Sequence, residues 1–306
     1  MNENTRVTLK SLIHNSNPWS LLVGVLMYAI GTGVAVRSGV HLNWTAYLIG
    51  QACVILFQLS AYYLVFYNEL LLRQPRRKGP DPIKKPDAQV ELRFAQSFYL
   101  LAALSALTIG AMLTVLLVAQ GLLTPATLVI LGLMVVLAYF YGMPPLKLAV
   151  SGYGELTMAI FLVNLTPALA ALLQGVEIWR SLAMLTFPLT ALYLAMHLAV
   201  SLETYLQDIK QGQRNMMIRL GWPRGMFLHN ILLLTAYILI ALASILGMAW
   251  SLTWPRLLTL PLAIFQIYLV WQINQGAKPR WRLLRLTAYA TFGVTAYFQV
   301  FSLWVG

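Results

Sequence analysis

Long apolar runs, each closed by a polar or charged cluster, alternate along the whole chain, and their length sets the architecture. Leu228 to Trp250 passes without one formal charge, and a bilayer core needs roughly 20 apolar residues per helical span. Helices are the expected form, because a segment in lipid has to satisfy its backbone polar groups internally. Nine spans are predicted: Trp19 to Val36, Trp44 to Leu72, Phe94 to Ala119, Leu122 to Tyr141, Leu156 to Leu173, Ser181 to Leu206, Phe227 to Trp250, Leu257 to Ile273 and Leu286 to Trp304. An odd number puts the termini on opposite sides. Pro167, Pro188 and Pro261 fall in or near spans, where a kink is better tolerated than in water. With no internal repeat of about 20 to 50 residues and no soluble segment, the prediction is a single all-α transmembrane domain over residues 1–306.

Composition agrees: 59% of residues are hydrophobic and 10% charged, and the mean hydropathy is +0.72, which excludes an ordinary soluble domain. Splitting the chain at its apolar runs places 18 of the 21 Lys and Arg in the N-terminal tail and in every second loop, with eight of the nine carboxylates. Excess Lys and Arg mark the cytoplasmic side, whereas Asp and Glu carry little orientation signal. The expectation is a multi-pass protein of the cell (inner) membrane with a cytoplasmic N-terminus and membrane lipids around it. The net charge of +12 follows from this topology, so no nucleic-acid partner is expected. Only Arg37, Arg180 and Arg256 are left on the far side. Carboxylates gathered on the basic side need another explanation, and a metal and phosphate site at the cytoplasmic mouth is one. The single cysteine, Cys53, excludes a disulfide within the chain and a two-thiol metal site. No short apolar core with a small-residue cleavage site precedes the first span, so no signal peptide is expected.

Three cytoplasmic segments carry candidate chemistry. YGMPPLKLAVSGYGEL, Tyr141 to Leu156, specifies a rigid turn and projects Lys147 at the membrane surface; a tight connection with a topogenic lysine is the plainer reading. ETYLQDIKQGQRNMMIRLG, Glu203 to Gly221, follows the sixth span. YNELLLRQPRR, Tyr67 to Arg77, leaves the second and opens a Pro-rich charged stretch reaching Glu91. Ionisable groups at span ends that face a cavity are functional hypotheses by default.

At these residues the chain resembles the UbiA superfamily of intramembrane aromatic prenyltransferases. The tyrosine, the Pro-Pro pair, Lys147 and the Gly-x-Gly-Glu-Leu ending resemble that family's loop after helix four. Asp208, Gly212, Arg214 and Arg219-Leu220-Gly221 resemble its loop after helix six. The resemblance implies nine helices around a central cavity, with two acidic motifs holding one or two Mg²⁺ ions on the diphosphate of a polyprenyl donor, since Mg²⁺ shares its shell with phosphate oxygens. Metal, Lys and Arg stabilise the leaving diphosphate, and an apolar cavity shelters the allylic cation until a small aromatic acceptor attacks it. Aromatic faces assist through cation–π attraction.

This chain departs from the family pattern. Asn-Asp-x-x-Asp-x-x-x-Asp becomes Asn68-Glu69-x-x-Leu72-x-x-x-Arg76, so two of three carboxylates are replaced; Asp81 and Asp87 lie further along. In the second motif Thr204 stands where an aspartate is expected. Glu203 is five residues before Asp208, about 140° around an ideal helix. The resemblance therefore assigns Asp208, Lys147 and Asn68 as catalytic and Asn68, Glu69, Glu203 and Asp208 as metal ligands. Arg73, Arg76, Arg77, Tyr141 and Arg214 are assigned to substrate binding. His197 and Asn164 either line the cavity or bond between helices. Tyr62, Tyr63, Phe66 and Tyr67 either shelter a cation or pack. Two functions stand: a prenyltransferase of quinone or lipid biosynthesis type, and a non-catalytic relative that binds prenyl diphosphate or lipid, or scaffolds a membrane pathway. A transporter is a third, disfavoured because the polar groups collect at one face.

Overall fold

The computed structural model describes residues 15–72, 86–177, 179–210 and 212–305, which contain helices and no strand. Eight helices are long and apolar enough to cross a membrane. They are α1 (Pro18–Arg37), α2 (Trp44–Leu72), α3 (Pro86–Ala119), α4 (Pro125–Gly142), α5 (Gly154–Leu173), α6 (Trp179–Lys210), α7 (Trp222–Ile245) and α8 (Trp250–Asn274). The ninth predicted span lies in α9 (Trp281–Trp304). Its sequence is less apolar because Thr287, Thr291, Thr295 and Gln299 recur every fourth residue. That spacing puts them on one helix face, and all four are buried.

The buried polar stripe of α9 is bonded to its neighbours. Thr291 donates to Gln266 at 3.4 Å, Gln266 meets His229 at 2.8 Å, and Thr259 links Thr295 at 2.7 Å to Tyr237 at 2.9 Å. α7, α8 and α9 are thus tied by interhelical hydrogen bonds, which substitute in lipid for a hydrophobic driving force. α9 also packs on α6 and on α1, while α1 packs on α5 and α2 on α4, so the bundle closes around its centre.

Two boundaries moved for local reasons. α7 runs from Trp222, with Pro223 in its first turn, to Ile245, two residues before Gly247 at φ 97°. Sequence hydropathy set it five residues later, because Arg224 was assigned to the loop. α8 gains a first segment, Trp250–Leu257, before Leu260–Asn274. Within α5, residues Ala159–Leu165 form a π-turn, a local widening that recurs near functional sites. The close approach of α1 to α5 requires glycine at position 31, where a Cβ would lie 2.0 Å from the Pro167 carbonyl oxygen.

Gly31→Ala is expected to cost about 2 kcal/mol, the scale of overpacking in a close-packed interior, read as a lower thermal-unfolding midpoint in detergent. Gly132→Ala, inside α4 where a Cβ meets nothing within 4 Å, should not lower that midpoint, because alanine is the better helix former.

Candidate functional site: a capped aromatic cavity

α6 continues as helix to Lys210, which carries Asp208 on its last turn, 9% exposed. The Asp208 Oδ2 accepts from Thr204 Oγ1 at 2.7 Å and from Asn215 Nδ2 at 2.8 Å. Asn215 in turn accepts from the Ile218 amide at 2.8 Å, capping the one-turn helix Met216–Leu220. At the start of α5, both Glu155 oxygens accept from the Met216 amide, at 3.2 and 3.3 Å. The Arg219 guanidinium lies 3.9 Å over the Tyr153 ring. Gly152, at φ 82°, sits so close to this loop that a Cβ would meet Arg219 Cδ at 3.2 Å. The segments after α4 and α6 therefore form one cap over one end of the bundle, joined to each other by the Glu155 carboxylate and a cation–π contact, while Asp208 ties the second segment to α6.

Beneath the cap is a cavity of about 230 Å³, reached by Glu155, Gly154 and Ala149 from above and walled by Trp19, Tyr62, Tyr141, Tyr193, His197 and Tyr289. The rings are mutually braced: Tyr62 meets Tyr141 edge-on at 6.1 Å, Trp19 meets Tyr289 at 4.9 Å, and His197 lies 4.5 Å from Tyr193. Ser20 hydrogen-bonds the Tyr62 hydroxyl and accepts from Gln58 at 2.9 Å. Trp19 Nε1 is buried with no hydrogen-bond partner among the described residues, which leaves a donor at the wall for a ligand or water. Such a chamber offers π-faces to a cation and carries a single carboxylate.

Asp208, Tyr141 and Lys147 all belong to this end of the bundle. Lys147 is half-buried, at φ 44° before the short turn Leu148–Val150. Arg214 is exposed; neither cation has an acidic partner among the described residues. Asn68, at the end of α2, is 8% exposed. Its amide nitrogen donates to the carbonyls of Gly142 and, at 3.4 Å, Leu64, and lies 3.3 Å from the Met143 sulfur. Asn68 thus tethers the end of α4. Glu69 beside it is half-buried. Glu203 does not join Asp208: the helix between them is unbroken, and its carboxylate pairs with Arg285 of α9 at 3.2 Å. Arg73, Arg76, Arg77, Asp81 and the Asp87 side chain lie outside the described residues. Among the described residues no three His, Cys, Asp or Glu gather as a metal cluster.

Three other candidates bond or pack between helices. Asn164 bonds Thr190 at 3.0 Å and the Ala159 carbonyl at 3.3 Å. Tyr63 and Phe66 lie against Tyr99 of α3, at 6.0 and 4.7 Å. Sequence reasoning passed over Glu155 and Asn215. Glu155 was visible as the acid of Gly-x-Gly-Glu-Leu, and Asn215 as an N-cap residue before an apolar run.

Neither protein-family models nor curated protein sequences give a match to the chain. Solved structures do. A digeranylgeranylglyceryl phosphate synthase is similar over 94% of this chain and 92% of its own, with TM-score 0.60 and 14% identity. A UbiA homologue from Archaeoglobus fulgidus is similar in two complexes. With DMAPP and Mg²⁺ it covers 94% of this chain and 98% of its own, at TM-score 0.58 and 17% identity. With GPP and Mg²⁺ the shares are 94% and 99%, at TM-score 0.59 and 16% identity. The chain therefore has the fold of the UbiA-type membrane prenyltransferases. It is an integral, multi-pass membrane protein, and the all-α expectation is met.

Asn215→Ala removes both the bond to Asp208 and the cap on Met216–Leu220. A loss of about 1 kcal/mol is expected, as for other N-cap deletions, together with faster amide hydrogen exchange at Ile218; exchange in α9 should not change.

Proposed function

We propose that the protein is an integral membrane prenyltransferase that moves an isoprenoid chain from a polyprenyl diphosphate to a small aromatic or related acceptor, of quinone or lipid biosynthesis type. The observation that carries this reading is the aromatic cavity lined by Glu155, at the end of the bundle where Asp208, Lys147 and Arg214 also stand. It is supported by the likeness to a homologue bound to DMAPP or GPP with Mg²⁺. The cap faces the cytoplasm of the cell membrane in this reading, following the excess of Lys and Arg at that end.

Lys147 and Arg214 meet the departing diphosphate and stabilise the charge that develops on it. The arginines after α2, Arg73, Arg76 and Arg77, supply further positive charge. Tyr62, Tyr141 and Tyr193 shelter the allylic cation and keep water from capturing it. When the aromatic acceptor attacks, its ring loses a proton, and Glu155 and His197 are the cavity-lining groups that can take it.

The donor set fits one Mg²⁺ rather than two. Thr204 and Asn215 both bond Asp208 through Oδ2, and Asn68 donates through its amide nitrogen, so a cation would take Asp208 Oδ1 and the Asn68 oxygen. Mg²⁺ needs only one or two protein ligands when phosphate and water complete its shell. Asp208, with Asn68 or Glu69, would hold it, and it would supply positive charge to the diphosphate.

The second reading, a non-catalytic binder of prenyl diphosphate, is favoured by Leu72 and Arg76 in place of carboxylates and by Glu203 being occupied by Arg285. Diphosphate release from geranyl, farnesyl and geranylgeranyl diphosphates, measured in nanodiscs with Mg²⁺ and a panel of aromatic acceptors, separates the two. Acceptor-dependent release that falls roughly 100-fold in Asp208→Asn and in Lys147→Ala, the scale for losing one charge-stabilising group, is expected of the transferase. Donor binding without release, unchanged by acceptor, would replace it with the binder. Glu155→Gln should slow turnover while leaving donor affinity within twofold or so, because the amide keeps the Met216 contact and loses the base.

A further inference from the structure

The three arginines left on the far side by the charge partition meet at the opposite end of the bundle from the cap. Arg180 opens the same helix, α6, whose last turn holds Asp208; at 1.5 Å per residue they are about 40 Å apart. A cavity of about 320 Å³ lies there, between the end of α1, the first turn of α6 and the turn joining α7 to α8. Arg37 and Arg180 line it, with Ser38 and Ser181.

Both guanidinium groups are oriented without being neutralised. Arg37 donates to the Ser302 carbonyl at 3.2 Å and to Ser251 Oγ at 3.1 Å, and Arg180 to the Leu246 carbonyl at 2.9 Å. A guanidinium has five N–H donors, so both retain several. Glu177, three residues before Arg180, makes no ion pair; Arg285 with Glu203, at the other end, is the pair found among the described residues. Positive charge is reinforced from behind. Arg256 is fully buried, bonded to the Leu252 carbonyl at 2.8 Å and to the Met248 sulfur at 3.1 Å, with Nη1 unpartnered among the described residues. Met248 and Leu252 themselves line the cavity. The N-terminal turns of α6 and α8 also open here, and helix starts carry unpaired amides and partial positive charge.

An apolar groove of about 310 Å³ between α6 and α7 continues from this cavity and shares Arg180, Met184 and Leu246 with it. Ala183 and Phe187 line it further along α6, and Phe187 is 57% exposed on the outer surface of the bundle. A cationic, hydroxyl-rich pocket joined to a surface groove with almost no polar wall matches a molecule with an anionic head and a hydrocarbon tail. Free anions have no use for the groove, and neutral lipids have no use for the unpaired arginines.

We propose that this is a binding site for an anionic phospholipid, with its phosphate between Arg37 and Arg180 and one acyl chain in the groove between α6 and α7. It is separate from the capped cavity and stands whether or not that cavity is catalytic.

The test uses the full chain, purified in a neutral phosphatidylcholine background, with phosphatidylglycerol titrated in. Lipid retention is read by native mass spectrometry and the thermal midpoint in parallel. Retention of phosphatidylglycerol over phosphatidylcholine is expected, falling about fivefold for each of Arg37→Gln and Arg180→Gln, the usual contribution of one basic residue near an anionic headgroup. Ala183→Phe, which fills the groove and touches no charge, is expected to reduce retention as well, and it decides the matter if the double arginine variant does not elute as a monodisperse species. Equal retention of the two lipids, or retention unaltered by these variants, would overturn the proposal. So would inorganic phosphate alone reproducing the thermal shift, since that would make the site one for a free anion.

Discussion

The hydrogen bonds that two carboxylates accept from consecutive residues of one loop hold the candidate site together. Asp208 takes the Asn215 side chain and Glu155 takes the Met216 amide, so the end of α6 and the start of α5 are coupled through a five-residue helix rather than by direct contact. Both acids sit where their helices leave the apolar layer. A buried carboxylate at such a place needs donors to offset its lost hydration, and the loop supplies them from one side amide and one backbone amide. The loop gains a fixed position over the mouth; the acids gain solvation without a cation that would neutralise them. Lys147 and Arg214 consequently remain without acidic partners at this end.

A different kind of polar contact fixes the wall. Two bonded sets, Thr291–Gln266–His229 and Thr295–Thr259–Tyr237, lie within the spans, where no water competes and leaving a group unpaired is costly. They make α7, α8 and α9 one unit, and α9 carries Tyr289 into the cavity on the same helix that sends Arg285 to Glu203. Of the bonded trio, α9 reaches the cavity through Tyr289, and α1 and α2 line it with Ser20 and Tyr62, themselves hydrogen-bonded.

How much of this was legible depends on how local the signal is. The spans were legible because about 20 apolar residues in a row are a property of a contiguous stretch, and the alternation of charge agrees with counting the polar-striped α9 among them. Asp208, Lys147 and Tyr141 were legible because the motifs that carry them lie within single segments. The cavity wall was not: Trp19, Tyr62, Tyr193 and Tyr289 come from four different helices, and no periodicity in one helix reports what another brings opposite. Glu203 shows the same limit from the other side. Its angular offset from Asp208 was computable from the sequence, but its attachment to Arg285, 82 positions away, was not. Glu155 was written in the sequence as part of a motif, yet its role in holding the loop depends on Met216, which has no side-chain signal for accepting such a partner.

The charge partition has a structural counterpart in α6. Positive-inside sorting explains why most Lys and Arg stand at the capped end, but it predicts no basic residues at the other, and it gives no reason for the exceptions to share a cavity. Arg37, Arg180 and Arg256 come from α1, α6 and α8, far apart in sequence, and converge on the region of one turn, Gly247 to Ala249. Arginines scattered by chance at an interface would each reach water separately. Here one is fully buried and the other two are held by carbonyl and hydroxyl oxygens that position a guanidinium while leaving its charge intact. At the capped end Asp208 and Glu155 likewise turn to neutral donors, and Lys147 and Arg214 have no acidic partner among the described residues. Each end of the bundle thus combines positive charge that has no acidic partner among the described residues with a cavity, aromatic beneath the cap and continuous with the groove between α6 and α7 at the far end.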